Sequence, residues 1–487
     1  MQDREADRVA HRVEDRRQVH LGDGRLGQPF RGIHVRGHDR DGSTVRFQYD
    51  LRRTASVLYE YSRTSRSDVD TEERMQSARS VAGFWILAAM LLVAMASSAV
   101  PSPIYPVYAA EWHLTPLALT AVFAIYVAGL LVTMLVAGRL SDHVGRKPVL
   151  VAGGLLLVLS LVLFADADGP VALVVDRIVQ GVAVGLLIGA LGAALIDNSL
   201  ERFPSLAGVL NGAVPPFALA TGALTSGALV EWGPAPEQLV YVVFGALLLL
   251  LVVALVVVPE RVTRRPGALR SLRPTVSVPR ASRALFRGVA GALVASWALG
   301  GLFLSLVPSA LRAVFGIEDH FAAGALIAVV TGVGGLTGLA IQRLDTRRSL
   351  LIGLIALVAG PVVTVSFVFV HSLPGLVVGS AIAGVGFGAG FQAPLRMLLA
   401  TAAPTHRAGL LSSVYVVSYL AFGVPAVVAG LLEPTFGFVP VLAGYGAFIV
   451  LAATVALVLQ LVSRSAADAE ERAVTGPVRT CPAPTAD

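Results

Sequence analysis

Apolar stretches of roughly twenty residues recur along the chain from Val81 to Val462, each long enough to cross about 30 Å of hydrocarbon as a helix. They fall at 81–100, 116–137, 148–164, 171–195, 207–229 and 239–258, then at 288–311, 321–341, 349–370, 373–395, 408–432 and 439–462. A water-soluble core could not hide so much oil. Of 487 residues, 55% are hydrophobic and only 14% charged, with a mean hydropathy of +0.73, where a soluble chain carries about a quarter charged residues. The predicted class is an all-α polytopic membrane protein with twelve spans.

The connections between these spans sort by charge. One set holds Arg139, Arg146, Lys147, Arg202, the arginines between 261 and 287, Arg343, Arg347, Arg348 and Arg407. The alternate set holds Glu111, Asp166, Asp168, Glu231, Glu237, Glu318, Asp319 and Glu433, with Arg312 as its one basic residue. Positive connections stay in the cytoplasm. Both termini are therefore expected inside a plasma membrane, which requires an even number of crossings, and twelve meets it. The formal charge of +6 does not point to nucleic acid, because the arginines lie between apolar segments and not along one face. The bilayer is the expected partner. The one cysteine, Cys481, excludes an intramolecular disulfide and a cysteine-based metal site; no cofactor is expected, and the chain is expected to work as a monomer.

Residues 1–79 are rich in Arg, Asp and His and show neither helical nor strand periodicity, a composition that buries too little apolar surface to order itself. Two readings stay open, a disordered cytoplasmic extension or a true start at Met75. The first apolar segment is long enough to be a retained signal anchor. Residues 80–258 then make a first half of six spans and 288–463 a second. Between them, 259–287 carries Arg261, Arg264, Arg265, Arg270, Arg273, Arg280, Arg283 and Arg287 against the single acid Glu260, which reads as a solvated anchor near anionic headgroups. Residues 464–487 read as a disordered tail.

After the second span comes Gly138-Arg-Leu-Ser-Asp-His-Val-Gly-Arg-Lys-Pro148. Glycines at both ends permit a tight helix-to-helix turn, and Asp142 with Arg139, Arg146 and Lys147 supplies a charge cluster able to hold or release helix ends. This run resembles the cytoplasmic signature loop of the major facilitator superfamily, with Gly138, Leu140, Asp142, Gly145, Arg146 and Lys147 matching at the family's spacing. The resemblance implies two pseudo-symmetric six-helix halves and a gating role for this loop. It also implies that Asp142 approaches the start of the eleventh helix, near Ala408, whose positive dipole end favours a carboxylate.

The fourth span reads Val174-Val-Asp176-Arg177-Ile-Val-Gln180-Gly181, similar to the family's R-x-x-q-G element. A charge at this depth costs about 2.5–3.5 kcal/mol, so Arg177 should face the bundle interior or a wet cavity. Gly181, Gly185 and Gly189 follow it at four-residue steps on one stripe, suited to close helix approach. Asp176 is the one carboxylate well inside a predicted span, with Gln180 one turn away. It is either the carrier of a coupling proton or a structural acid. The fifth span lacks the proline that family antiporters place in the stretch matching Gly222–Gly227, having Pro215 and Pro216 earlier, and the first span lacks a membrane acid. Gln342-Arg-Leu-Asp345-Thr-Arg-Arg348 looks like a decayed copy of the signature loop, and the glycine-dense tenth span ends with Gln392 and Arg396. Polar and aromatic residues within spans, namely Tyr126, Trp297, Phe303, Gln392, Tyr415 and Tyr419, are candidates to line a substrate path.

The expected function is secondary transport of small organic solutes by alternating access, leaning toward export, with protons as a candidate coupling partner. Uptake of a metabolite or sugar is the alternative. A membrane-embedded enzyme would need an acid–base or metal-ligand constellation, and no paired carboxylates, His cluster or phosphate-cradling G-x-x-x-x-G-K-[ST] loop is found. A non-transporting sensor is separated by any measured flux.

Overall fold

The computed structural model of the chain describes residues 33–38, 44–49 and 79–475, with side-chain surroundings from 79 to 462 apart from Pro404. It divides into two units, Met1–Gln76 and Ser77–Asp487. In the first, β1 (Ile33–His38) pairs antiparallel with β2 (Thr44–Tyr49), Ile33 opposite Tyr49 and His38 opposite Thr44. This corrects the reading that residues 1–79 lack strand periodicity. Ile33 and Val35 alternate with polar residues, as do Val45, Phe47 and Tyr49, and the connection carries Asp41-Gly42, a turn pair. The rest of 1–78, Met75 included, lies outside the described residues.

The second unit is helical. Its membrane helices are α1 (Arg79–Glu111), α2 (Pro116–Ala137), α3 (Arg146–Ala165), α4 (Pro170–Asp197), α5 (Leu206–Trp232), α6 (Leu239–Ala254), α7 (Arg280–Ser305), α8 (His320–Arg343), α9 (Thr346–Phe369), α10 (Leu373–Thr401), α11 (Arg407–Phe436) and α12 (Phe438–Thr475). Eleven of these are long and apolar enough to span a membrane, and α6, with 16 residues, is the shorter twelfth. Helices are the natural choice because each satisfies its own backbone groups where no water can. Proline sets the interruptions. After Pro101, α1 tightens into a 3-10 turn at Ser102–Ile104 before resuming at Tyr105. The expected seventh span, 288–311, instead stops at Ser305, and a short helix, Val307–Phe315, restarts around Pro308, which has no N–H to give back to the preceding turn. At the other end, α12 runs on to Thr475, past the boundary expected at 464. That extension is rich in Ala, Glu and Arg, all strong helix formers.

The packing repeats with a shift of six helices. In the first half α2 packs on α4, α3 on α4 and α3 on α6; in the second α8 packs on α10, α9 on α10 and α9 on α12. Two seams join the halves, α5 against α8 and α2 against α11, and the same shift exchanges one seam for the other. This is the twelve-helix architecture of two pseudo-symmetric halves. Outward stripes such as Leu155, Leu159 and Val162 on α3 stay exposed while Leu150, Leu157 and Leu161 are buried. Lipid gives oily surfaces no reason to associate, so close backbone packing carries the contacts. A methyl added at Gly185 of α4 would stand 2.7 Å from the Leu130 carbonyl of α2, and one at Gly181 would stand 3.0 Å from the Leu130 nitrogen.

The connections define two faces, one arginine-rich and one acidic. On the arginine face the loop between α6 and α7 is tethered as well as solvated. The Arg265 amide donates to the His143 carbonyl at 2.9 Å, and the Ser277 amide to the Gly409 carbonyl at 3.2 Å. The loop thereby touches the signature loop and the start of α11.

Candidate functional site

A cavity of about 750 Å³ lies between the halves, within the range of small-molecule sites. Its lining reaches Ser205 at the start of α5, Gln342 at the end of α8 and Leu399 near the end of α10, so it opens on the arginine face. At the acidic face both seams are shut. Phe123 of α2 meets Phe422 of α11 at 4.9 Å between ring centroids, and Trp232 of α5 meets Phe321 of α8 at the same separation. Glu231 Oε2 accepts the His320 backbone N–H at 3.0 Å and lies 3.1 Å from its Nδ1. The Arg312 guanidinium donates to the Pro106 carbonyl at 3.3 Å. Nearby on this face, burial and the like charge of Glu111 raise the Glu237 carboxyl above its ordinary range.

Aromatic rings make the far wall. Trp297 of α7 stands edge-on to Tyr419 at 4.6 Å, Phe391 at 5.3 Å and Phe422 at 5.6 Å, with Tyr415 at 6.5 Å. These are the T-shaped arrangements that ring quadrupoles favour. Of the six residues the sequence proposed as lining, Tyr126, Trp297, Gln392, Tyr415 and Tyr419 sit on the cavity wall. Phe303 does not: it is wholly buried inside the second half, in the last two turns of α7, where Ala298–Ser305 are all buried and only Leu304 reaches the cavity. Gln392 donates to the Gly212 carbonyl of α5 at 3.2 Å, joining the two halves across the cavity. The sequence reading missed Asn211, which also lines the space and donates to the Gly192 carbonyl at 3.0 Å. A polar residue between Gly208 and the Pro215-Pro216 pair was its one signal.

Behind Tyr126 lies Arg177, fully buried. It donates to Tyr105 Oη and, at 2.6 Å, to Gln180 Oε1, while Gln180 Nε2 donates to the Ser97 carbonyl at 3.0 Å. The guanidinium lies 5.2 Å from the Tyr105 ring, 5.4 Å from Tyr126 and 5.5 Å from Phe164, an aromatic cage for a cation. The break after Pro101 is what delivers Tyr105 to this place. Gln180 is therefore spent on Arg177, and Asp176 points elsewhere. Asp176 is buried, its backbone carbonyl accepts from Ser160 Oγ at 3.2 Å, and its Oδ2 has no hydrogen-bond partner among the described residues.

The signature loop has its own geometry. Past Gly138 a single helical turn, Ser141–Val144, leads to Gly145 at φ +101°, where a Cβ would press on Glu260 Oε2 at 2.9 Å. Arg146 donates to Ser141 Oγ at 2.7 Å, to Asp197 Oδ2 at 2.9 Å and to Asp142. The Lys147 amide donates to Glu260 Oε2 at 2.8 Å, and its ammonium to the Val256 carbonyl at 3.2 Å. Arg139 is exposed. The resemblance placed Asp142 near the start of α11; here its ion-pair partner is Arg146, and the residue bonded to Gly409 at that helix start is Ser277. With the arginine face open, the two halves stand apart where that approach would occur. Asp197 was not foreseen, although an acid at a helix C-terminus, set against the dipole, asks for a cationic neighbour.

The chain is similar to known transporters at three levels. It is 34% identical over 108 residues to the multidrug resistance protein MdtL of Vibrio parahaemolyticus, covering 22% of this chain and 27% of that one. It is 36% identical over 80 residues to MdtL of Klebsiella pneumoniae, covering 16% and 20%. These matches span about a quarter of the relatives' length or less. In fold it is similar to a bacterial homologue of the human lysosomal transporter Spinster, solved inward-facing and unoccupied, with a TM-score of 0.60 at 15% identity over 79% of this chain and 97% of that one. It also resembles the human organic anion transporter MFSD10, with a TM-score of 0.55 at 15% identity over 77% and 99%. The family model for the Major Facilitator Superfamily matches residues 87–427, and the chain belongs to that family of transporters.

Proposed function

We propose that this protein is a secondary transporter of small organic solutes that works by alternating access. The carrying observation is the cavity between the halves, open at one face and shut at the other along the α2/α11 and α5/α8 seams. The arginine face is cytoplasmic by the distribution of positive charge, so the conformation is inward-facing, with both termini in the cytoplasm of a plasma-membrane protein. Rocking of the halves about the seams exposes the same site to the other side. Export is the favoured direction, supported by the multidrug resistance names of the partial relatives. Asp176 is the proposed proton carrier, because a buried carboxylate with an unpartnered oxygen gains most from taking up a proton.

The test is flux in proteoliposomes with and without a pH gradient, using a variant with Glu231→Cys and His320→Cys and with Cys481→Ser. Cross-linking these positions should abolish flux, and reduction should restore it. Undiminished flux in the cross-linked protein would refute alternating access through this seam. Asp176→Asn should remove dependence on the gradient; unchanged coupling would retire Asp176. Flux that only fills vesicles toward the arginine face would establish uptake instead.

A further inference from the structure

The charge lining the cavity has one sign. Among the residues that line it, Arg396 is the only one carrying a full charge, and no carboxylate is present. Arg396 stands on α10 near the open mouth. It donates to the carbonyls of Ile341 at 3.0 Å and Leu344 at 3.4 Å, and to Thr346 Oγ1 at 2.9 Å. All three partners are neutral, and no acid lies within ion-pair distance of it among the described residues. The closest acid in sequence to those partners, Asp345, is occupied in capping α9, accepting the amides of Arg347 and Arg348 at 3.1 Å each. Three of the five guanidinium N–H groups are used in this way, which leaves the Nε–H and one Nη1–H.

A second positive charge acts from the other side. Arg177 lies 5.4 Å from the Tyr126 ring whose other surroundings include the cavity. A cleft with low-dielectric walls and charge of one sign focuses that field into its interior. Aromatic rings, centred on Trp297, Phe391, Tyr415 and Tyr419, make one wall, aliphatic side chains such as Leu130, Ile188 and Leu395 line much of the rest, and Asn211, Gln342 and Gln392 are the carboxamides.

We propose that the cavity selects aromatic organic anions over aromatic cations, with Arg396 as the residue that sets the sign. The ring system packs among the aromatic side chains, and a carboxylate or sulfonate turns toward Arg396, whose fixed donors suit such groups. This rests on the transporter reading for its biological meaning, but the binding preference can be measured without flux.

Full-length protein in nanodiscs of uncharged lipid is dialysed to equilibrium with three ligands that share one ring system: 2-naphthalenesulfonate, 2-naphthalenemethanol and (2-naphthylmethyl)trimethylammonium, with empty nanodiscs as the blank. The anion should bind at least about tenfold more tightly than the cation, and added salt should weaken the anion and spare the alcohol. Arg396→Gln should remove most of the gap, weakening the anion far more than the alcohol; Arg396→Lys should keep the order. If the glutamine variant fails to fold, the lysine variant and the salt response decide. A cation bound as tightly as the anion, no binding of any of the three, or an unchanged gap in Arg396→Gln overturns the proposal. Selective binding of the anion with no flux of any ligand in proteoliposomes would sink the transporter reading and spare this one. Flux with a preference for the cation would do the reverse.

Discussion

The two halves share one joint, built with opposite polarity. In each, the loop after the second helix is tied to the end of the fourth. In the first half the arginine sits on the loop side, where Arg146 holds Asp142 and, at the end of α4, Asp197. In the second half the arginine sits on the helix: Arg396 of α10 holds the Ile341 carbonyl at the end of α8, the Leu344 carbonyl in the connection and Thr346 at the start of α9. Helix capping differs in the same sense. Asp345 caps its own helix α9, whereas α3 takes its cap from Glu260, a residue 113 positions away by sequence on the basic loop. The second joint is self-contained. The first borrows its cap from the loop that joins the halves, and it carries the glycine that the second has lost.

The largest effect should come from removing the hub of the first joint. Arg146 is mostly buried, with a side-chain exposure of 14%, and Asp197 with 29% is left facing a vanished partner. Arg146→Ala should cost about 3 kcal/mol, the scale for stranding a partly buried charge, read as a lower thermal midpoint in detergent. A variant as stable as the parent would show that the joint holds nothing. Gly145→Ala should rank next. Its φ of +101° lies where only glycine is comfortable and its added carbon would meet Glu260, so strain of about 2 kcal/mol is expected. No residue of the second loop should show a penalty of this kind.

The caps sharpen the contrast. Glu260→Ala and Asp345→Ala should each cost about 1 kcal/mol. Only the first should slow transport, because its cap is borrowed from a segment that also touches the start of α11 through Ser277. Equal effects on flux would remove the distinction between a moving joint and a fixed one.

Much of this was legible in the chain. Span lengths and alternating loop charge yield twelve helices, because the hydrocarbon imposes one length and one rule of orientation. The signature loop is legible because its glycines and charges are fixed by a local turn. What escaped depends on contacts between distant segments. Asp197 belongs to the joint only through Arg146, 51 positions away. Arg396 gains meaning only when the α8–α9 junction supplies neutral partners. Phe303 and Trp297 lie on the same helix, and no periodicity in α7 separates the one that faces the cavity from the one that faces its neighbours, since every residue of its last two turns, Ala298–Ser305, is buried.

The smallest effect on stability, and the most telling one for mechanism, should come from Asp142→Ala. Asp142 is half exposed, with 51% of its side chain accessible, and its partner Arg146 keeps Ser141 and Asp197 when it is gone. An exposed pair of this kind contributes less than about 1 kcal/mol, so expression and thermal midpoint should barely change. Transport should nonetheless fall. On the alternating-access reading the arginine face must close in the other conformation, and Asp142 is the acid free to leave Arg146 for the positive start of α11, a contact the open cavity denies it here. The stability of one state would then be untouched while the population of the other is lost. Normal flux in Asp142→Ala would mean that the first joint, for all its borrowed parts, is as static as the second.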